Sequence, residues 1–231
     1  MTLPLRSTSA GLRGTTIGRF LRYCAAAILA LASCGAVHAQ GMVPGYPDDF
    51  MALDAREVRL LPPYCMYSQY FSWKYRPDEA EKKRWESALG PTFIHIHHYC
   101  FALLKTNRAL YLTKTRQFRE FYLRDSLNEF DYVIQRAPDD FVLLPEILSK
   151  KGENLVRLGR GSFAVFEFER AVELNPKFWP PYAHLADYYK STGETAKAKE
   201  VLSKGLAEAP DTKPLLERLA ALDHPGVSGQ Q

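Results

Sequence analysis

The chain has 231 residues, of which 46% are hydrophobic and 13% aromatic, and a formal net charge of +4. Four of its 30 Lys and Arg (Arg6, Arg13, Arg19, Arg22) fall in the first 39 residues, which hold no Asp or Glu, so 26 basic side chains face 26 acidic ones from Gln40 onward. A sum of zero offers no field to a nucleic-acid backbone, and the remaining length is that of one domain, which excludes a multidomain enzyme.

Residues 1–39 combine spaced arginines, an apolar run from Cys24 through Ala32 and the small-x-small sequence Val37-His38-Ala39. This is the grammar of a cleaved signal peptide. The run is too short to cross a bilayer as a helix, which needs about 20 apolar residues, and no later stretch is longer, so no transmembrane segment is expected. Leu31-Ala32-Ser33-Cys34 resembles a bacterial lipobox. Two products therefore stay open: a periplasmic protein starting at Gln40, or an outer-membrane lipoprotein anchored through Cys34. Residues 40–52, with Gly41, Pro44, Gly45 and Pro47, read as a flexible N-terminus.

Residues 53–90 hold six aromatics within twelve positions: Tyr64, Tyr67, Tyr70, Phe71, Trp73 and Tyr75. Arg76-Pro77-Asp78 then opens a charged helix through Trp85 to Leu89, stopped by Gly90-Pro91. The reading adopted is an N-terminal helical and aromatic cap; a recognition surface built from the aromatics competes with it.

Beyond residue 90, apolar residues recur at helical spacing with Pro or Gly at the breaks, which makes the fold all-α. His95-Ile96-His97-His98-Tyr99-Cys100 is the one stretch that resembles a reactive site. On a helix His95 and His98 share one face and His97 and Cys100 another, so two ligands at most point the same way. No Cys-x-x-Cys, His-Glu-x-x-His or Cys-x-x-Cys-His sequence supplies more, so these histidines read as structural, with no metal and no cofactor. The alternative is a metal- or haem-handling protein built on His95, His98 and Tyr99. Cys65 and Cys100, which survive cleavage after Ala39, are expected to pair in an exported protein, with two buried thiols as the alternative.

Residues 145–178 and 179–212 align without a gap at an offset of 34, placing Gly159 over Gly193, Ala164 over Ala198 and Pro176 over Pro210. Bulky residues recur at position 4 (Leu148, Tyr182) and position 11 (Leu155, Tyr189) of each unit, small ones at position 8 (Gly152, Ala186) and position 27 (Ala171, Gly205). Here the sequence resembles the tetratricopeptide repeat (TPR), whose unit is a pair of antiparallel helices. A degenerate unit over about 91–138 precedes them, with helices expected over Phe93–Leu112 and Arg116–Arg136. Residues 213–222 read as a capping helix and 223–231 as a disordered tail. The expectation is a TPR solenoid of about three repeats, over 91–222, with a cap at each end.

The resemblance implies a concave groove lined by the first helix of each unit: Glu146, Ser149, Glu153 and Val156, then Pro180, Ala183, Asp187 and Lys190, with Arg157 beside them. It implies a protein or peptide partner and a role as adaptor or assembly factor in the bacterial envelope. Glu153 and Asp187 stand where TPRs that clamp a C-terminal carboxylate have Asn, so that ligand is not expected. They form instead an acidic wall suited to Lys or Arg on a partner. No phosphate loop or nucleophile elbow is present, Gly159-Arg160-Gly161 reads as a turn, and the protein is not expected to be an enzyme.

Overall fold

A computed structural model describes residues 53–224. The leader with Cys34, the segment 40–52 and residues 225–231 of the tail lie outside the described residues. Among those described there is no strand, and no helix is long and apolar enough to cross a membrane.

Short helices come first: α1 (Ala55–Val58), a 3₁₀ segment Pro63–Tyr67, α2 (Gln69–Tyr75) and α3 (Glu79–Leu89), then a second 3₁₀ segment Gly90–His95. Three hairpins follow. They are α4 (Ile96–Asn107) with α5 (Arg116–Ile134), α6 (Leu144–Arg157) with α7 (Gly161–Leu174), and α8 (Pro180–Ser191) with α9 (Thr195–Glu208). A final helix, α10 (Lys213–Asp223), packs on α8 and α9. Asp78 caps α3 by accepting from the Glu81 backbone N–H, and Thr115 caps α5 in the same way through Phe118.

The repeat register explains the packing inside α6–α7 and α8–α9. A Cβ on Gly152 would lie 2.5 Å from the Phe168 ring, so a small residue at position 8 is what lets the bulky residue at position 24 reach the helix axis. Ala164, Phe168, Ala198 and Leu202 are all wholly buried. Each hairpin turns at its fifteenth position, where Gly159 and Gly193 adopt φ of +73° and +83°, open to glycine at little cost. Leu215 of α10 joins Tyr182, Ala198 and Leu202 in one cluster, closing the apolar face that the last hairpin would expose.

The first hairpin departs from the 34-residue register yet stacks in the same direction. Near the starts of α4 and α6 the Tyr99 hydroxyl donates to Glu146 at 2.6 Å; near their ends the Asn154 amide donates to Thr106 Oγ1 at 2.6 Å. These two contacts set α4 and α6 parallel. Asn154 is completely buried, donates also to Ser126 Oγ at 2.9 Å and accepts from Arg157, so all three of its partners lie within the fold.

The N-terminal segment is fastened across α4 by covalent, ionic and apolar contacts. A disulfide joins Cys65 to Cys100, with Cα atoms 5.7 Å apart. Arg108 donates to both oxygens of Glu57 at 2.6 and 2.9 Å, a bidentate pair with little solvent access. Tyr64 and Phe71 are buried in the main core and Tyr67 and Tyr75 pack half-buried against it, while Trp73 remains exposed.

Candidate functional site

First helices α4 and α6 leave a cavity of about 300 Å³ between them, with the segment around Leu60 and Pro62 as its third wall. Its apolar lining comes from Leu60, Pro62, Leu103, Leu110 and Tyr111. Its polar lining comes from α4 through Thr106 and Asn107, and from α6 through Glu146, Lys150, Glu153, Asn154 and Arg157. Leu103 and Asn107 stand at i and i+4, which aligns them on one face of α4, and Leu110 follows just past its end. At this point α4 widens into a π-helical turn over Arg108–Leu112, whose last residues include the exposed Tyr111.

The polar groups are not equally available. Glu153 receives Lys150 at 2.8 Å and His184 at 3.3 Å on one oxygen, and Arg157 at 3.1 Å on the other. Burial by itself would raise its pKa, but the hydrogen bonds from His184 and Lys150 outweigh that and hold the carboxyl at about 2. Glu146 accepts from the wholly buried Tyr99, whose phenol burial holds protonated well above its ordinary range. By contrast, the Asn107 carboxamide has no hydrogen-bond partner among the described residues, and Lys150 and Arg157 each keep N–H groups beyond those given to the fold. The cavity therefore has a buried polar floor at Thr106 and Asn154, exposed apolar side chains at Leu60 and Tyr111, and spare donors on Asn107, Lys150 and Arg157.

Several groove residues inferred from the repeat register lie elsewhere than expected. Ser149 and Ala183 are buried, so neither faces an incoming ligand; this corrects their assignment to the groove surface. Pro180 is half-buried, and Val156 and Lys190 are exposed. Asp187 is exposed but held by Arg218 of α10 through two bonds at 3.0 Å. The acidic wall is thus corrected as well: both carboxylates are answered by bases of the chain itself. Leu60, Pro62, Leu103, Asn107, Leu110 and Tyr111 escaped the sequence reading because the repeat alignment begins at residue 145. Helical spacing was the one signal for Leu103 and Asn107, and nothing in the sequence spacing marked Leu60 and Pro62.

The histidine stretch resolves into three environments. His98 donates through Nδ1 to Glu129 at 2.5 Å and stacks on Tyr132 with ring centres 3.6 Å apart, while His95 meets that same ring edge-on. His97 is buried against Tyr70 with Nδ1 at 3.0 Å from the Ile94 carbonyl, and burial together with the neighbouring His98 pushes its pKa down to about 4. Among the described residues no three His, Cys, Asp or Glu side chains are grouped to hold a metal ion.

No protein-family model matches the sequence, and no curated protein matches it. Among solved structures the chain is similar to a thermophilic TPR protein of Thermus thermophilus, at 18% identity and a TM-score of 0.47, over 68% of this chain and 79% of that one.

Proposed function

We propose that this protein is a binding module that holds a short segment of a partner protein in the cavity between α4, α6 and the Leu60–Pro62 wall. One observation carries the reading: a cleft at the first-helix face with an apolar wall of Leu60, Leu103, Leu110 and Tyr111 opposite unspent hydrogen-bond donors on Asn107, Lys150 and Arg157. An apolar side chain of the partner would enter between Leu60, Leu103, Leu110 and Tyr111, while its backbone carbonyls meet those donors. This replaces the expectation of a Lys- or Arg-bearing segment, because Glu153 and Asp187 are already paired.

Panning a displayed peptide library against the protein tests it. Leu60→Glu, at a 64% exposed position, and Asn107→Ala should each leave the melting temperature close to that of the parent and weaken the selected peptides at least tenfold, about 1.4 kcal/mol. Peptides that bind both variants as tightly as the parent would rule the cavity out.

We further propose export to the bacterial envelope as an adaptor or assembly factor, on the leader's arginines, apolar run and Val37-His38-Ala39. Intact-mass measurement on native protein distinguishes a chain starting at Gln40 from one starting at acylated Cys34; a full-length chain excludes both. The metal- or haem-handling reading on His95 and His98 gains no support from their contacts with Glu129 and Tyr132.

A further inference from the structure

The charges of this nearly neutral chain are separated between the two edges of the solenoid. Because α4 and α6 run parallel, and Tyr188 of α8 packs over Gly161 at the next turn, the three within-hairpin turns fall on one edge and the between-hairpin loops on the other. On the turn edge, residues 110–119, 157–163 and 190–197 hold seven basic side chains and one acidic, Glu194. On the loop edge, residues 134–143, 173–179 and 207–213 hold three basic and five acidic.

Four of the seven cations, Lys114, Arg119, Arg160 and Lys190, are exposed and make no ion pair among the described residues. Large apolar side chains are exposed on the same edge. Tyr111 of the first turn is 71% exposed, its neighbour Leu112 44%, and Phe163 of the second turn 67%. Each alone is ordinary, since isolated apolar residues are common on surfaces. Their coincidence with unpaired cations is what carries meaning.

We propose that the turn edge docks on the surface of an anionic lipid bilayer, with the four cations over the headgroups and Tyr111, Leu112 and Phe163 entering the interface. A nucleic acid would use the cations but leave Leu112 and Phe163 without a dry environment. The bilayer interface accommodates both kinds of side chain, and the acidic loop edge faces away from it. This edge adjoins the cavity between α4 and α6, with Leu110, Tyr111 and Arg157 common to both, but its four unpaired cations and Phe163 lie outside the cavity lining.

Vesicle binding by the full chain tests the proposal, with tryptophan reporters to separate this edge from the arginines of the leader. Phe163→Trp should show fluorescence quenched by brominated phosphatidylglycerol beyond that of the parent chain, and Val142→Trp, exposed on the loop edge, should not. Reversing charge with Lys114→Glu, Arg119→Glu and Arg160→Glu in the Phe163→Trp chain should keep the melting temperature and abolish the added quenching in phosphatidylglycerol vesicles. Equal quenching at both reporters, or quenching of the turn-edge reporter that survives the reversal, overturns the proposal. So does binding of duplex DNA or an acidic peptide through these cations with no insertion of that reporter.

Discussion

Glu153 in α6 and His184 in α8 meet at 3.3 Å across two successive first helices. Asp187 in α8 and Arg218 in α10 repeat the relationship one step along, again 31 residues apart. The acid at position 9 of each unit thus ties its helix to the next one, and its charge is spent on stacking. Glu153→Ala should destabilise the fold by about 2 kcal/mol, since it strips a little-exposed carboxylate from three bases. Asp187→Ala, at a half-exposed pair, should cost no more than about 1 kcal/mol. Denaturant midpoints compare the two, and equal losses would contradict the difference in burial.

Acid should reveal the Glu153 contact separately. Its folded pKa of about 2 lies below the ordinary value of 4.5, so the stabilisation is fully present above pH 4.5 and is lost as pH falls towards 2. Glu153→Gln should flatten the stability profile in that window.

His97 titrates in the opposite sense chemically but also weakens the fold on acidification. Its ring stays neutral in the folded chain down to about pH 4, while the unfolded chain takes up the proton near 6.5. Stability is therefore complete above pH 6.5 and declines between 6.5 and about 4, by up to about 3 kcal/mol at 1.4 kcal/mol per unit. His97→Phe should remove that slope, and an NMR titration should find the native imidazole uncharged at pH 5.5.

The Cys65–Cys100 bridge closes a loop of 35 residues. By chain entropy its removal in a Cys65→Ala, Cys100→Ala variant should cost roughly 4 kcal/mol. Both sulfurs are buried among Tyr64, Phe71 and Tyr99, so the loss should appear first as faster hydrogen exchange over residues 53–75, with α8 to α10 unchanged.

Ala164→Trp and Ala198→Trp should each destabilise by about 1–3 kcal/mol or more, because both positions are completely enclosed. Lys204→Ala, exposed on α9, should stay within about 0.5 kcal/mol. Indistinguishable midpoints would show that the repeat register is wrong.

Much of the helical framework was determined by the sequence alone. Apolar spacing marked the helices, proline and glycine their ends, and the 34-residue recurrence paired α6 with α7 and α8 with α9. These are local properties: a helix repeats every 3.6 residues and a hairpin turns within a few, so neighbouring positions carry the information. Which groove residues remain open was decided only by the tertiary structure. Ser149 and Ala183 are buried, Glu153 and Asp187 are answered by bases 31 residues onward, and the wall at Leu60 is brought over α4 by Glu57–Arg108 and the disulfide. The zero charge balance likewise concealed a basic edge and an acidic one, because a sum over the chain is blind to which turns the stacking of hairpins places side by side.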